Sequence, residues 1–173
     1  MSLHEISPFD LNENIFKLLS SDCLLLTTER DGKPNTMTVG WGGIGVMWGK
    51  NVVFTAVRPE RFTYETLENT EYFSLSALTD DKRSAISYCG RVSGRNADKL
   101  SDCGLSLLHE KSAPYIAESK IVFICKKLSR TPISLSDFPT DSAIPQKWYG
   151  GGYHSLFIGE IEKIFVVDKQ CGI

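Results

Sequence analysis

Strand-like runs follow one another along this chain at intervals too short to hold crossover helices, and that spacing excludes more folds than any other feature. Residues 23–28 are apolar with a threonine pair at the end. Residues 35–41 alternate, with Met37, Val39 and Trp41 on one face and Thr36, Thr38 and Gly40 on the other. Asp31-Gly32 between these two runs marks a tight hairpin. Residues 51–57 are rich in β-branched side chains, and residues 71–76 set Phe73 and Leu75 against Ser74 and Ser76. Residues 121–125 are almost wholly apolar, and residues 154–167 form a last long run with a bulge expected at Gly159. A doubly wound parallel sheet needs a helix between successive strands. The expectation is therefore a mainly β fold, a mostly antiparallel barrel with peripheral helices.

Residues 11–20 carry Leu11, Ile15, Leu18 and Leu19 at helical spacing. A second helix is expected from Pro59, in its first turn, to about Asn69. Residues 81–88 read as a third, and Asn96 as the cap of a short one through Lys99 that ends at Gly104. Gly42, Gly43, Gly45 and Gly49 read as a loop. So do residues 129–152, with Pro132, Pro139, Pro145 and three successive glycines, although Trp148-Tyr149 makes that segment more than a spacer.

The 173 residues read as one domain, large enough to bury about two-thirds of the unfolded surface. A net charge of -2 gives no electrostatic case for nucleic acid, and no apolar run approaches the length of a membrane span. The N-terminus lacks the basic and apolar regions of a signal peptide, so a cytoplasmic location is expected. Cys23, Cys89, Cys103, Cys125 and Cys171 are scattered, without a C-x-x-C pair or a histidine at zinc-ligand spacing. Neither disulfides nor a structural metal is expected.

Two nucleotide-binding patterns fail on context. Gly40-Trp41-Gly42-Gly43-Ile44-Gly45 matches G-x-G-x-x-G, but residues 46–50 leave no room for the helix that the dinucleotide version requires. Gly45-Val46-Met47-Trp48-Gly49-Lys50-Asn51 imitates a P-loop with one residue too few between its glycines and Asn51 in place of the magnesium-binding hydroxyl.

Arg58-Pro59-Glu60-Arg61-Phe62-Thr63 puts two guanidiniums and a hydroxyl at a helix start. That is either a solvated helix end or a phosphate cradle, since a phosphate needs cations and free N–H donors. Residues 35–41 are either a barrel strand with threonines facing water, or a polar surface whose backbone meets a flat ring beside Trp41. A flat, polar-edged ring with a phosphate tail would use both segments. Residues 88–99 form a glycine-rich turn into a capped helix; their functional reading adds Ser93, Gly94 and Lys99 as ligand contacts. His154 stands without a serine or cysteine nucleophile motif, so no catalytic triad is expected.

Taken in order, Asn35-Thr36-Met37-Thr38-Val39-Gly40-Trp41, Val57-Arg58-Pro59-Glu60-Arg61-Phe62-Thr63, Gly90-Arg91-Val92-Ser93-Gly94-Arg95, Asp98-Lys99, Ile144-Pro145 and His154-Ser155-Leu156-Phe157-Ile158-Gly159-Glu160 resemble the flavin reductase-like family, and flavoredoxins in particular. The resemblance implies an FMN-binding split β-barrel, six-stranded, antiparallel and Greek-key, assembled as a homodimer with FMN near the interface. It implies cofactor contacts at Asn35, Thr36, Met37, Thr38 and Trp41, at Thr55, Ala56, Val57, Arg58, Arg61 and Thr63, and at Cys89, Gly90, Ser93, Gly94 and Lys99. Many relatives continue well past the Gly159-Glu160 strand, so with Ile173 as its last residue this chain is expected to have a more open pocket or one completed by a partner subunit.

The function implied is an FMN-dependent oxidoreductase that takes electrons from NAD(P)H or a small electron-transfer protein, with no side chain required as acid or base. The alternatives are a non-enzymatic split barrel binding flavin, haem or another planar ligand, and an enzyme of the pyridoxamine-phosphate oxidase type.

Overall fold

The structure, a computed structural model, describes residues 2–150 and 152–167. Ten strands run in chain order: β1 Leu3–Ile6, β2 Leu24–Arg30, β3 Lys33–Val39, β4 Gly42–Met47, β5 Lys50–Val57, β6 Tyr72–Leu78, β7 Leu107–Glu110, β8 Ala113–Ile116, β9 Ser119–Pro132 and β10 Ser155–Val167. Five helices accompany them: α1 Ile15–Lys17, α2 Phe62–Asn69, α3 Ser84–Arg91, α4 Lys99–Asp102 and α5 Ile144–Trp148.

Eight strands form one antiparallel sheet, ordered β3-β2-β6-β9-β10-β5-β4, with β1 on the far end of β10. Strands β7 and β8 form a separate hairpin. Six of the eight fill a common interior. Leu24 and Leu26, Met37 and Val39, Val53 and Val57, Phe73 and Leu75, Phe123 and Cys125, and Phe157 and Ile161 belong to one buried cluster. Laid flat, β3 and β5 would stand roughly 24 Å apart at about 4.8 Å per strand. Instead β3 and β4, the two ends of that order, are joined through Gly40 and Trp41 alone, so the sheet has curled until its ends meet. It does not close by strand pairing, because β3 and β4 are its two edges. The result is the split barrel that the strand spacing and the resemblance imply.

Several local expectations are corrected. The glycine-rich segment is strand β4, not a loop: it pairs along β5, and the Phe54 ring lies 3.9 Å and 3.7 Å from where Gly43 and Gly45 would carry a Cβ. Its turn is Trp48-Gly49, with φ of 54° and 70°, the same left-handed pair found at the anticipated Asp31-Gly32 hairpin (53° and 71°). Helix α2 begins at Phe62 rather than Pro59. Residues 58–61 form a turn closed by Arg61 N–H to Arg58 O at 3.1 Å, and proline at its second position suits that turn.

The first helix is a short piece, α1, capped by Asn14 and continuing as a π-helical turn over Leu18–Asp22. Asp98, not Asn96, caps α4, its carboxylate accepting from Ser101 N–H. Strand β9 runs seven residues beyond Cys125, into the expected loop, because β10 continues to pair with it. Strands β1, β7 and β8 were not anticipated; each is four residues long, β1 and β7 half-exposed and β8 largely buried. Cys171 lies outside the described residues; Cys23, Cys89, Cys103 and Cys125 are free thiols.

The register of β10 against β9 shifts between Ile158 and Gly159, with Leu128 left unpaired opposite. Gly159 is also a packing requirement: a Cβ there would stand 2.5 Å from Phe73 Cζ and 3.2 Å from Cys125 Cβ, inside a filled core. Gly159→Ala is expected to destabilise the protein by about 1–3 kcal/mol, read as a lower urea midpoint at unchanged slope.

Candidate functional site

The site is the unclosed seam. One edge of β3 has no strand partner among the described residues, and across it lie the end of β5, the turn at residues 58–61 and the start of α2. The seam is tied at both ends. At one end the chain itself crosses it through Gly40-Trp41 into β4, where the Ala56 N–H donates to Trp41 O at 3.0 Å in continuation of the β4–β5 ladder; at the other Asn35 Nδ2 donates to Thr63 Oγ1 at 2.6 Å. Between them the seam opens into two clefts that share Met37 and Arg61. The first, about 250 Å³, is lined by residues 37–41 with Ala56, Arg58, Gly90 and His154. The second, about 200 Å³, is lined by Glu60, Thr63, Ser93 and Lys99 with residues 91–92. Together they fall within the range of about 300–1,000 Å³ typical of small-molecule sites.

The strand face carrying Thr36 and Thr38 is not an open polar surface, because α3 covers it. Thr38 donates its hydroxyl to Ile86 O, and a Cβ on Gly90 would stand 3.4 Å from Thr38 Cβ. Thr36 is fully buried, its hydroxyl donating to Leu26 O at 3.2 Å and accepting from Thr27 at 3.1 Å. What β3 presents to the first cleft is therefore mainly its backbone edge, together with Gly40 and Trp41. Unpaired edge groups need partners, and a ring with polar edges supplies them.

Aromatic side chains wall this cleft. Trp41 is 44 % exposed, edge-on to Trp148 at 5.3 Å and tilted against His154 at 4.9 Å. His154 is buried, with Nδ1 3.2 Å from the Tyr149 hydroxyl. Burial, reinforced by the nearby Arg58 charge, pushes its pKa below the ordinary 6.5, so the imidazole is neutral at pH 7. Arg58 donates to Trp148 O at 2.9 Å and pairs with Glu60 at 3.5 Å, which ties the 144–149 segment to the cleft.

The second cleft is electrostatically different. Lys99 is only 4 % exposed, and among the described residues no carboxylate pairs with its ammonium. Burial lowers its pKa from the ordinary 10.5, and the neighbouring Arg61 guanidinium adds to that. An uncompensated buried cation is costly, so a site that keeps one is built for an anion. Arg61 donates to Gly90 O at 2.8 Å, which fixes its guanidinium beside the cleft. Helix α2 has no side-chain cap, leaving first-turn N–H groups beside the Thr63 hydroxyl. Cations, N–H groups and the Ser93 hydroxyl make a donor set suited to a phosphate.

Of the sixteen anticipated contacts, the structure brings Met37, Thr38, Trp41, Ala56, Arg58, Arg61, Thr63, Gly90, Ser93 and Lys99 onto the two clefts. Asn35 and Gly94 stand behind them: a Cβ on Gly94 would collide with the Asn35 amide, so the loop packs directly against the Asn35–Thr63 bridge. Thr36, Thr55 and Val57 are fully buried or nearly so and line neither cleft. Cys89 faces the Leu25, Leu78 and Ile116 cluster, where burial pushes its thiol up to about 12. The sequence reading missed Val39, Glu60, Arg91 and Val92 as lining residues and left His154 open; Gly40, read as part of the polar face of residues 35–41, does line the first cleft. A separate cleft of about 380 Å³ lies away from the seam, between β1, residues 10–13 and the end of β10. No histidine, cysteine or carboxylate cluster fit for a metal occurs among the described residues. No helix among them is long and apolar enough to cross a membrane.

Comparison with known proteins accounts for this arrangement. The flavin reductase like domain model matches residues 16–171. This chain belongs to the flavin reductase-like family. The solved flavoredoxin of Methanosarcina acetivorans superposes with a TM-score of 0.67 at 22% identity, over 94% of this chain and 77% of that one. The flavoredoxin of Desulfovibrio vulgaris (Miyazaki F) gives 0.68 at 22% identity, over 97% and 82%. At these identities the likeness shows the fold. An uncharacterized protein of Aeropyrum pernix is 23% identical over 152 residues, 86% of this chain and 51% of that protein. The chain thus spans about half the length of the curated relative it matches.

Because the folded pKa of Lys99 lies below 10.5, the unfolded chain binds more protons between the two values. Stability of the ligand-free protein should therefore rise with pH across that window. Lys99→Met is expected to remove this rise and to raise the stability of the ligand-free protein at pH 7 by about 1–2 kcal/mol, measured by urea unfolding at pH 7 and at about pH 10, just below the unfolded value.

Proposed function

We propose that this protein binds FMN in the seam and acts as an oxidoreductase that passes electrons through it. The observation that carries this reading is Lys99, a buried ammonium without a carboxylate, set in a cleft of donors beside a second cleft bounded by a strand edge. The phosphate would meet Lys99, Arg61, Thr63, Ser93 and the first turn of α2. The backbone of residues 37–41 would hold the polar edge of the ring, with Trp41 as a wall. Bound FMN would supply the hydride and single-electron chemistry. The chain's part is to hold and orient: Arg58 and Arg61 stabilise negative charge, and the neutral His154 leaves that positive field to them.

The flavin-loaded protein is expected to be yellow, and flavin-free protein to bind FMN at micromolar concentration or better. Lys99→Ala should weaken that binding about tenfold or more, whereas Arg58→Ala, whose guanidinium is tied to Trp148 O, should change it less. A colourless preparation that ignores micromolar FMN, or one with a Soret band instead of flavin bands, would overturn the proposal. The electron donor is proposed to be NAD(P)H or a small electron-transfer protein. Anaerobic reduction of loaded protein by NADH, NADPH and reduced ferredoxin, side by side, distinguishes them, and reduction by none leaves a non-enzymatic carrier.

The homodimer belongs to the same proposal. Phe9 and Phe16 are 88% and 86% exposed, a cost in water that a second copy would remove. Sedimentation should give about twice the 19.3 kDa chain mass; a monomer at micromolar concentration would refute it.

A further inference from the structure

Two cysteines take no part in the proposed function, yet they stand together behind it. Cys89 on α3 is fully buried. Cys103, the residue that follows α4, is partly exposed and packs against the same apolar cluster of Leu25, Leu78, Ala85 and Ile116. The chain on either side of Cys103 is fastened to α3. The Tyr88 hydroxyl donates to the Asp102 carboxylate at 2.6 Å, and Lys82 Nζ, just ahead of α3, donates to Gly104 O at 2.9 Å. Cys103 is thus held against the face of α3 that carries Ala85 and Cys89, one turn apart.

The two sulfurs share one charged neighbour. Burial raises the Cys89 thiol, the adjacent Cys103 thiol adds to that, and the Lys99 ammonium opposes both. The same ammonium lies within reach of Cys103 as well. A buried thiol alone is inert, whereas two neighbouring thiols can give up two electrons together as a disulfide. A cation beside them favours the thiolate that such a reaction needs. Access is one-sided: a reagent in solution meets Cys103 and not Cys89.

We infer that Cys89 and Cys103 are a redox site, which a small disulfide closes into a covalent bond between α3 and the end of α4 with the Lys99 ammonium assisting. The Cys103 thiol gives its proton to solvent, and its thiolate attacks one sulfur of the small disulfide RSSR, expelling RS⁻ and leaving a mixed disulfide. Cys89 passes its proton to that RS⁻ and attacks Cys103 Sγ, which breaks the mixed disulfide and expels the second RS⁻. Solvent returns a proton to it, so the protein has lost two electrons and two protons and RSSR has become two RSH. The bond closes a loop that contains Ser93 and Lys99 of the second cleft, so oxidation stiffens that wall. The inference goes beyond the flavin reading and does not depend on it.

The full chain is treated with oxidised glutathione, its remaining thiols are blocked, and it is mapped with trypsin without reductant. The expected product joins residues 84–91 to residues 100–111, two hydrogens lighter than the separate peptides, and dithiothreitol parts them. The oxidised protein should melt higher than the reduced one, on the order of 5 °C. Cys103→Ser, at a partly exposed position, should give no such product, and Lys99→Met should form it several-fold more slowly. A reaction that stops at the glutathione adduct of Cys103, or joins Cys103 to a cysteine other than Cys89, overturns the inference. So does a Cys89–Cys103 product that forms only in urea. Closure of Lys99→Met at the wild-type rate overturns the part assigned to Lys99.

Discussion

Everything distinctive about this protein follows from a β-sheet that curls on itself without zipping shut. Six strands share one interior, so the ends of the sheet must meet, yet β3 and β5 exchange no ladder. The short chain link Gly40-Trp41 at one end and the Asn35–Thr63 hydrogen bond at the other hold the margins together. A fully paired barrel would satisfy its backbone and leave no edge groups for a ligand. Here the hydrophobic core fixes the distance between the margins, and the polar groups along them are what the site has to offer.

The two clefts divide the labour by polarity. Aromatic rings and a strand edge bound one, while cations and helix N–H groups bound the other. Placing Lys99 out of water without a carboxylate opposes stability in the empty protein. Binding an anion relieves that cost, so the same burial that weakens the empty fold strengthens the complex. Arg58 serves differently: engaged by the Trp148 carbonyl and Glu60, it positions the aromatic wall.

The sequence was most legible where a local rule decides the outcome. Asp31-Gly32 announces its hairpin because both positions favour left-handed backbone, and Met37 and Val39 announce the inner face of β3 by alternation. Trp48 adopts the same backbone at φ 54° without being a turn-forming residue, so its hairpin and the whole of β4 stayed hidden. Strand β4 exists because β5 and the Phe54 ring support its glycines, information that lies in the partner strand. The cationic side of the site was readable from the charges and hydroxyls of residues 58–63 and from Lys99. The roles of Thr36 and Thr38 were not, since periodicity shows that a face is polar and cannot show that a helix far along the chain will cover it.

The contact between Gly159 and the Phe73 ring carries a consequence for how this sequence can drift. Neither position is free on its own: a larger residue at 159 has no room until 73 has shrunk, and a smaller residue at 73 opens a void that only a larger 159 would fill. Among descendants of this chain the two positions should therefore change as a pair, or not at all.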